Sequence, residues 1–91
     1  MAVTENSLTT GGSSSSASSY ATASVTPTAN RLQLLVVSVS AVGHTLTTPT
    51  ASGNSLTWVQ VSDLTFASSD HKLTVFRAMG ASPSTGTITI D

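Results

Sequence analysis

No cysteine occurs in this chain, so no disulfide can brace it. That matters at 91 residues. A domain of this size hides only about 60% of the surface its unfolded chain exposes. The remaining remedies are a metal or association with another chain. Charge is also scarce. Three Lys and Arg and four Asp and Glu make up 8% of the sequence, giving a net charge of −1, against a usual charged fraction of about 25%. Three cations are too few to neutralise a run of phosphates, which excludes nucleic acid as the expected partner. Long apolar runs are missing too. The longest, Leu32 to Val42, is interrupted by Gln33, Ser38 and Ser40 and falls far short of the ~20 residues that span a bilayer. No membrane role is expected. The opening residues, Met1 to Leu8, contain neither a basic nor an apolar signal region, and no Asn-x-Ser/Thr sequon occurs. Synthesis in a cytoplasm is the expectation.

The residues that carry chemistry are equally sparse. A zinc site needs about four ligands at suitable spacing. The only histidines are His44 and His71, and Asp70 beside His71 points the other way if both lie on a strand. No Gly-x-Ser-x-Gly elbow is present to present a nucleophile. Of the carboxylates, Glu5 lies near the start and Asp91 is the last residue, leaving Asp63 and Asp70 as an unpromising acid/base pair. Gly11-Gly12 leads into serines rather than a helix, so no phosphate cradle forms. The chain is expected not to be an enzyme, and no metal or cofactor is expected.

What the sequence does have is hydroxyl. Serine and threonine are about a third of the chain. Residues 1–19, with the tract Gly11 to Ser19, read as a flexible Ser/Gly-rich arm. Val3 and Leu8 are its anchors if it lies along a neighbour and orders on binding. From Tyr20 onward the pattern is β. Tyr20 to Val25 alternates and stops at Pro27. Leu32 to Ala41 is the strongest strand. Leu34, Leu35, Val36 and Val37 are apolar on both faces, which predicts a central strand covered on both sides. Residues 43–55 read as a loop with a short extended piece. Leu56 to Ser62 and Lys72 to Met79 are further strands, and Leu64 and Phe66 in the intervening turn are expected to point inward. In Thr87 to Asp91, Ile88 and Ile90 share one face. No segment shows helical periodicity, and short strands between Gly, Pro, Ser and Thr turns predict a sandwich or barrel. The last strand runs to Asp91 and leaves no room for a closing strand, which predicts an open sheet edge, ready to pair with another chain.

Two residues stand out within these strands. Trp58 lies among Leu56, Val59 and Val61 and suits a core or an interface; exposed, it would suit stacking on a sugar. Arg77 sits on an otherwise apolar strand. It needs a carboxylate partner, either Asp63 or Asp91 within the domain or one on a neighbouring subunit.

Four blocks carry a resemblance: Ser24 to Leu32 (SVTPTANRL), Gly53 to Val61 (GNSLTWVQV), Lys72 to Pro83 (KLTVFRAMGASP) and Gly86 to Asp91 (GTITID). Over residues 20–91 the chain resembles a β-rich domain of tailed-bacteriophage and metagenomic proteins whose members look like virion or surface components. The resemblance implies no catalytic residues. It implies a virion location and contacts with copies of the chain and with other virion proteins. Related sequences continue with further strands beyond the segment matching Thr87 to Asp91. A neighbour is therefore expected to complete the fold, unless the chain is a piece of a longer protein. The reading as a whole is an all-β chain: an extended arm over 1–19 and an antiparallel β-sandwich, of which a jelly roll is one form, over 20–91. Its expected role is that of a virion structural subunit, in capsid decoration or a tail appendage. Val3, Leu8, Trp58, Arg77, Ile88 and Ile90 are the expected interface residues. The alternative is a carbohydrate-binding or adhesive module with a glycan as partner.

Overall fold

The structure, a computed structural model, describes residues 5–14, 17–41, 43, 45–67 and 70–91. Among them there is no helix. Six strands follow in order: β1 (Tyr20–Ala21), β2 (Gln33–Ser40), β3 (Ala51–Gly53), β4 (Val59–Phe66), β5 (His71–Ala78) and β6 (Ile88–Ile90). They form two antiparallel three-stranded sheets, a small one in the order β1-β6-β3 and a larger one in the order β2-β5-β4. Residues 5–14 and 17–19 belong to neither sheet.

The large sheet is organised by β5. Its pairing with β2 runs without interruption from Gln33 opposite Ala78 to Ser40 opposite His71. On its other side, β4 pairs from Val59 opposite Arg77 to Phe66 opposite His71, with a bulge between Gln60 and Ser62 that leaves Val61 as the extra residue. Between β4 and β5 the Asp70 N–H donates to the Ala67 carbonyl at 3.1 Å and Ala67 takes a positive φ. Because side chains alternate along a strand, the register sorts the sheet into two faces. One carries Leu35, Val37, Phe76, Ala78, Thr74 and Lys72. The other carries Leu34, Val36, Leu73, Val75, Leu64 and Phe66.

The buried apolar core is small. It comprises Val37, Phe76 and Ala78 from the first of those faces, with Ile88 of β6 and Val25, whose backbone bridges to Gly86 beside the small sheet. Two devices position that small sheet. Asn54, itself buried and at positive φ, donates its Nδ2 to the carbonyls of Ser84 at 3.0 Å and Gly86 at 3.1 Å, tying the β3 turn to the strand entering β6. Thr22 Oγ1 accepts the Ile88 N–H at 2.9 Å. The radius of gyration is 14.0 Å, above the roughly 12 Å of a compact chain of this length. A cleft of about 2620 Å³ lies beside β2, bounded in part by residues 5–14.

Two expectations are corrected here. β2 is an edge strand, not a central one, and its Leu34 and Val36 are exposed rather than covered. The run is apolar on both faces, yet this chain covers only one. Leu64 and Phe66 are not inward pegs of a turn; β4 extends through Phe66, and its even-numbered residues beyond the bulge face outward. The last strand, β6, is the middle strand of its sheet, flanked by β1 and β3, and the long unpaired margins belong to β2 and β4.

Candidate interaction surface

More large apolar side chains are exposed than buried. Among the described residues, ten are exposed, while the core holds five residues, one of them an alanine. Scattered surface apolars are ordinary. These are not scattered. Leu34 and Val36 on β2 (63% and 61% exposed) and Val59, Leu64 and Phe66 on β4 lie on one face of the large sheet, flanking the half-buried Leu73 and Val75 of β5. Val61, displaced by the bulge, is exposed beside them. Phe66 stacks on the His71 ring at 5.3 Å, closing one end of the patch. Arg77 is the only cation on this face, directly between Leu34 and Val59.

The opposite face of the same sheet holds a compact polar cluster. Lys72 Nζ meets Asp63 Oδ2 at 2.7 Å and donates to Thr65 Oγ1 at 3.2 Å. Thr74, fully buried, donates to Asp63 Oδ1 at 2.7 Å, and Thr48 donates to Oδ2 at 3.1 Å. The register explains the assembly. Asp63 is opposite Thr74 and Thr65 is opposite Lys72, two rungs apart with Leu64 and Leu73 between, so all four share a face. The bonds from Lys72 and Thr74 hold the Asp63 carboxyl below its ordinary value of 3.8, against the opposing effect of burial. Thr74 has no access to solvent. The cluster ties β4 to β5 across the sheet.

The six residues expected at an interface are placed very differently. Val3 lies outside the described residues. Leu8 is exposed on the arm and lines the cleft beside β2. Ile88 is buried in the core and Ile90 half-buried beside it. Trp58 is half-buried just before β4, and its indole N–H donates to the Gly53 carbonyl at 3.2 Å, so it does not stand out as an open stacking platform. Arg77 is exposed. Neither intramolecular partner expected for it is found. Asp63 projects from the other face and is taken by Lys72, which forms the only ion pair among the described residues. Leu34, Val36, Leu64 and Phe66, which sequence reasoning expected to be covered within the domain, are exposed. Their alternation was visible, but which face the chain itself would cover was not.

Among the described residues no three His, Cys, Asp or Glu side chains gather as metal ligands, and no helix is long and apolar enough to cross a membrane. Neither family models nor curated proteins nor solved structures gave a match to this chain.

Proposed function

We propose that this chain is a structural interaction module that works within an assembly, joined to other subunits through its β2–β5–β4 sheet. The two sheets act as the layers of a small sandwich whose large sheet keeps one face for a partner. In the setting the resemblance implies, the chain is a virion structural subunit of the decoration or tail-appendage kind. The observation that carries the reading is the alignment of Leu34, Val36, Val59, Leu64 and Phe66 on one uncovered face. Contiguous patches of this kind mark interaction sites.

The magnitudes favour association through more than this face alone. Covering five half-exposed apolar side chains contributes on the order of 5 kcal/mol per partner. Two such faces together give about 10 kcal/mol, within the 4–15 kcal/mol that association costs in lost freedom. Face contact therefore brings two chains close to balance, and strand pairing at the sheet margins with a further copy has to supply the surplus.

The test is mass in solution. Light scattering on the eluting wild type should give a multiple of 9.2 kDa. The double variant Val36→Lys, Leu64→Lys should elute at the single-chain mass with an unchanged circular dichroism spectrum, because neither side chain belongs to the core. A wild type that stays at single-chain mass up to ~100 µM, or a variant as large as the wild type, removes the proposal.

A further inference from the structure

We infer that β2 pairs antiparallel with β2 of a second copy about a twofold axis, joining two three-stranded sheets into one of six strands; this rests on the assembly reading above and specifies its contact. The large sheet has two long margins, and they are not alike. Natural edge strands are protected by bulges, charges, proline or shortness. β4 has a bulge at Val61 and carries Asp63, tied to Lys72. β2 has none of these. Gln33 to Ser40 holds no charge, no proline and no glycine, is eight residues long, and keeps unbroken register with β5. The cleft along β2 is lined by Leu34, Val36 and Val39 on the strand and by residues 5–14 of the arm, which a second strand would have to displace.

The occupant that fits is the same strand. β2 offers no charge with which to select a charged partner, and the whole chain carries a net charge of −1. A neutral, unbroken strand is matched by its own copy, and twofold dimers are the commonest oligomers. Geometry then restricts the register. Directly opposed residues in an antiparallel pair lie on the same face. Leu35, Val37 and Val39 share one face of β2, and Leu34, Val36 and Ser38 share the other. A twofold axis between Val36 and Val37 would oppose Val36 to Val37 and mix the faces, so it is forbidden. The axis has to pass through a residue. The two longest registers this allows are centred on Val36 or on Val37. The first opposes Leu35 to Val37 of the copy; the second opposes Leu35 to Val39. Both set apolar against apolar on the face that also carries Phe76, and both bring two copies of the exposed Leu34–Val36 patch side by side.

Single-cysteine cross-linking of the full chain tests this cleanly, because the natural sequence has no cysteine. A residue on the twofold axis faces its own copy with Cα atoms about 4.5–5.5 Å apart, inside the range a disulfide bridges. Val36→Cys, Val37→Cys, Leu34→Cys and Val61→Cys are oxidised mildly at low micromolar concentration. Either Val36→Cys or Val37→Cys should form a disulfide dimer efficiently. Leu34→Cys, as exposed as Val36, should stay at least tenfold behind, since its copy is too distant in either register. Val61→Cys, on the other margin, should also stay behind. If Val37→Cys, which is buried, fails to fold, the Val37-centred register is read instead from a Leu35→Cys, Val39→Cys double variant. If the wild type is oligomeric but none of the β2 cysteines cross-links, or Val61→Cys does so faster, the β2 pairing is wrong while the assembly reading stands. If the wild type is monomeric, both fall.

Discussion

Gly53 is the position where a single methyl group should do most damage. It ends β3 at φ +133°, in a region L side chains rarely adopt. It pairs with Ile88 across the β3–β6 ladder. A Cβ built there runs into the Thr87 backbone carbonyl and lies 3.1 Å from the Ile88 Cα. Both are backbone atoms of the central strand of the small sheet, so neither can swing aside as a flexible side chain would. The Gly53 carbonyl also accepts two bonds, from the Leu56 N–H and from the Trp58 indole, each at 3.2 Å. Backbone strain of about 1–3 kcal/mol and overpacking of about 1–3 kcal/mol act together, so Gly53→Ala should cost about 3 kcal/mol or more. A domain of this length has roughly 5–10 kcal/mol of stability in all. At about 4–8 °C per kcal/mol, the midpoint should fall by about 12 °C or more. The assay is a thermal melt at fixed protein concentration, because the proposed association would make the midpoint concentration-dependent, read by circular dichroism and by Trp58 fluorescence. Gly86→Ala is the control. Nothing lies within 4 Å of its added Cβ and its φ is not positive, so it should be neutral or stabilising by up to about 1 kcal/mol. A Gly53→Ala midpoint within about 2 °C of wild type would refute the reasoning.

Two further predictions concern the polar ties. Asp63 has a folded pKa lowered below 3.8, so its contribution is fully present above the ordinary carboxylate range and is lost as pH falls through the lowered folded value. Melts of wild type and Asp63→Asn from pH 7 to pH 2 should show a gap at neutral pH that closes on acidification; a gap of constant size would show that the carboxylate charge is not what matters. Asn54→Ala removes both donations to the Ser84 and Gly86 carbonyls and should cost about 1–3 kcal/mol, measured by urea unfolding. The loss should sit toward the lower end, because Asn54 Oδ1 is itself buried without a partner and its removal relieves that penalty.

β2, β4, β5 and β6 were legible because they are rich in β-branched residues and flanked by turn residues. Gly53-Asn54-Ser55 marked the turn that the positive φ values at all three positions confirm, and the alternation Leu73, Val75, Arg77 against Thr74, Phe76, Ala78 is the division of faces seen in β5. The rank of β2 was not legible. A run apolar on both faces says that both faces are meant to be dry, and sequence does not distinguish covering by the same chain from covering by another. The Asp63–Lys72 tie was hidden for a different reason. Asp63, Thr65, Lys72 and Thr74 become neighbours only once the turn between Phe66 and His71 fixes which rungs oppose. Without that register, Arg77 looked an equally good partner for Asp63, although it lies on the other face.

Small-angle X-ray scattering of the wild type at ~100 µM most directly tests whether the bare sheet is covered by another chain. The account predicts a forward-scattering mass at a multiple of 9.2 kDa and a radius of gyration well above the 14.0 Å of the single chain, both falling on dilution. A folded species of 9.2 kDa and about 14.0 Å, unchanged across that range, would contradict it.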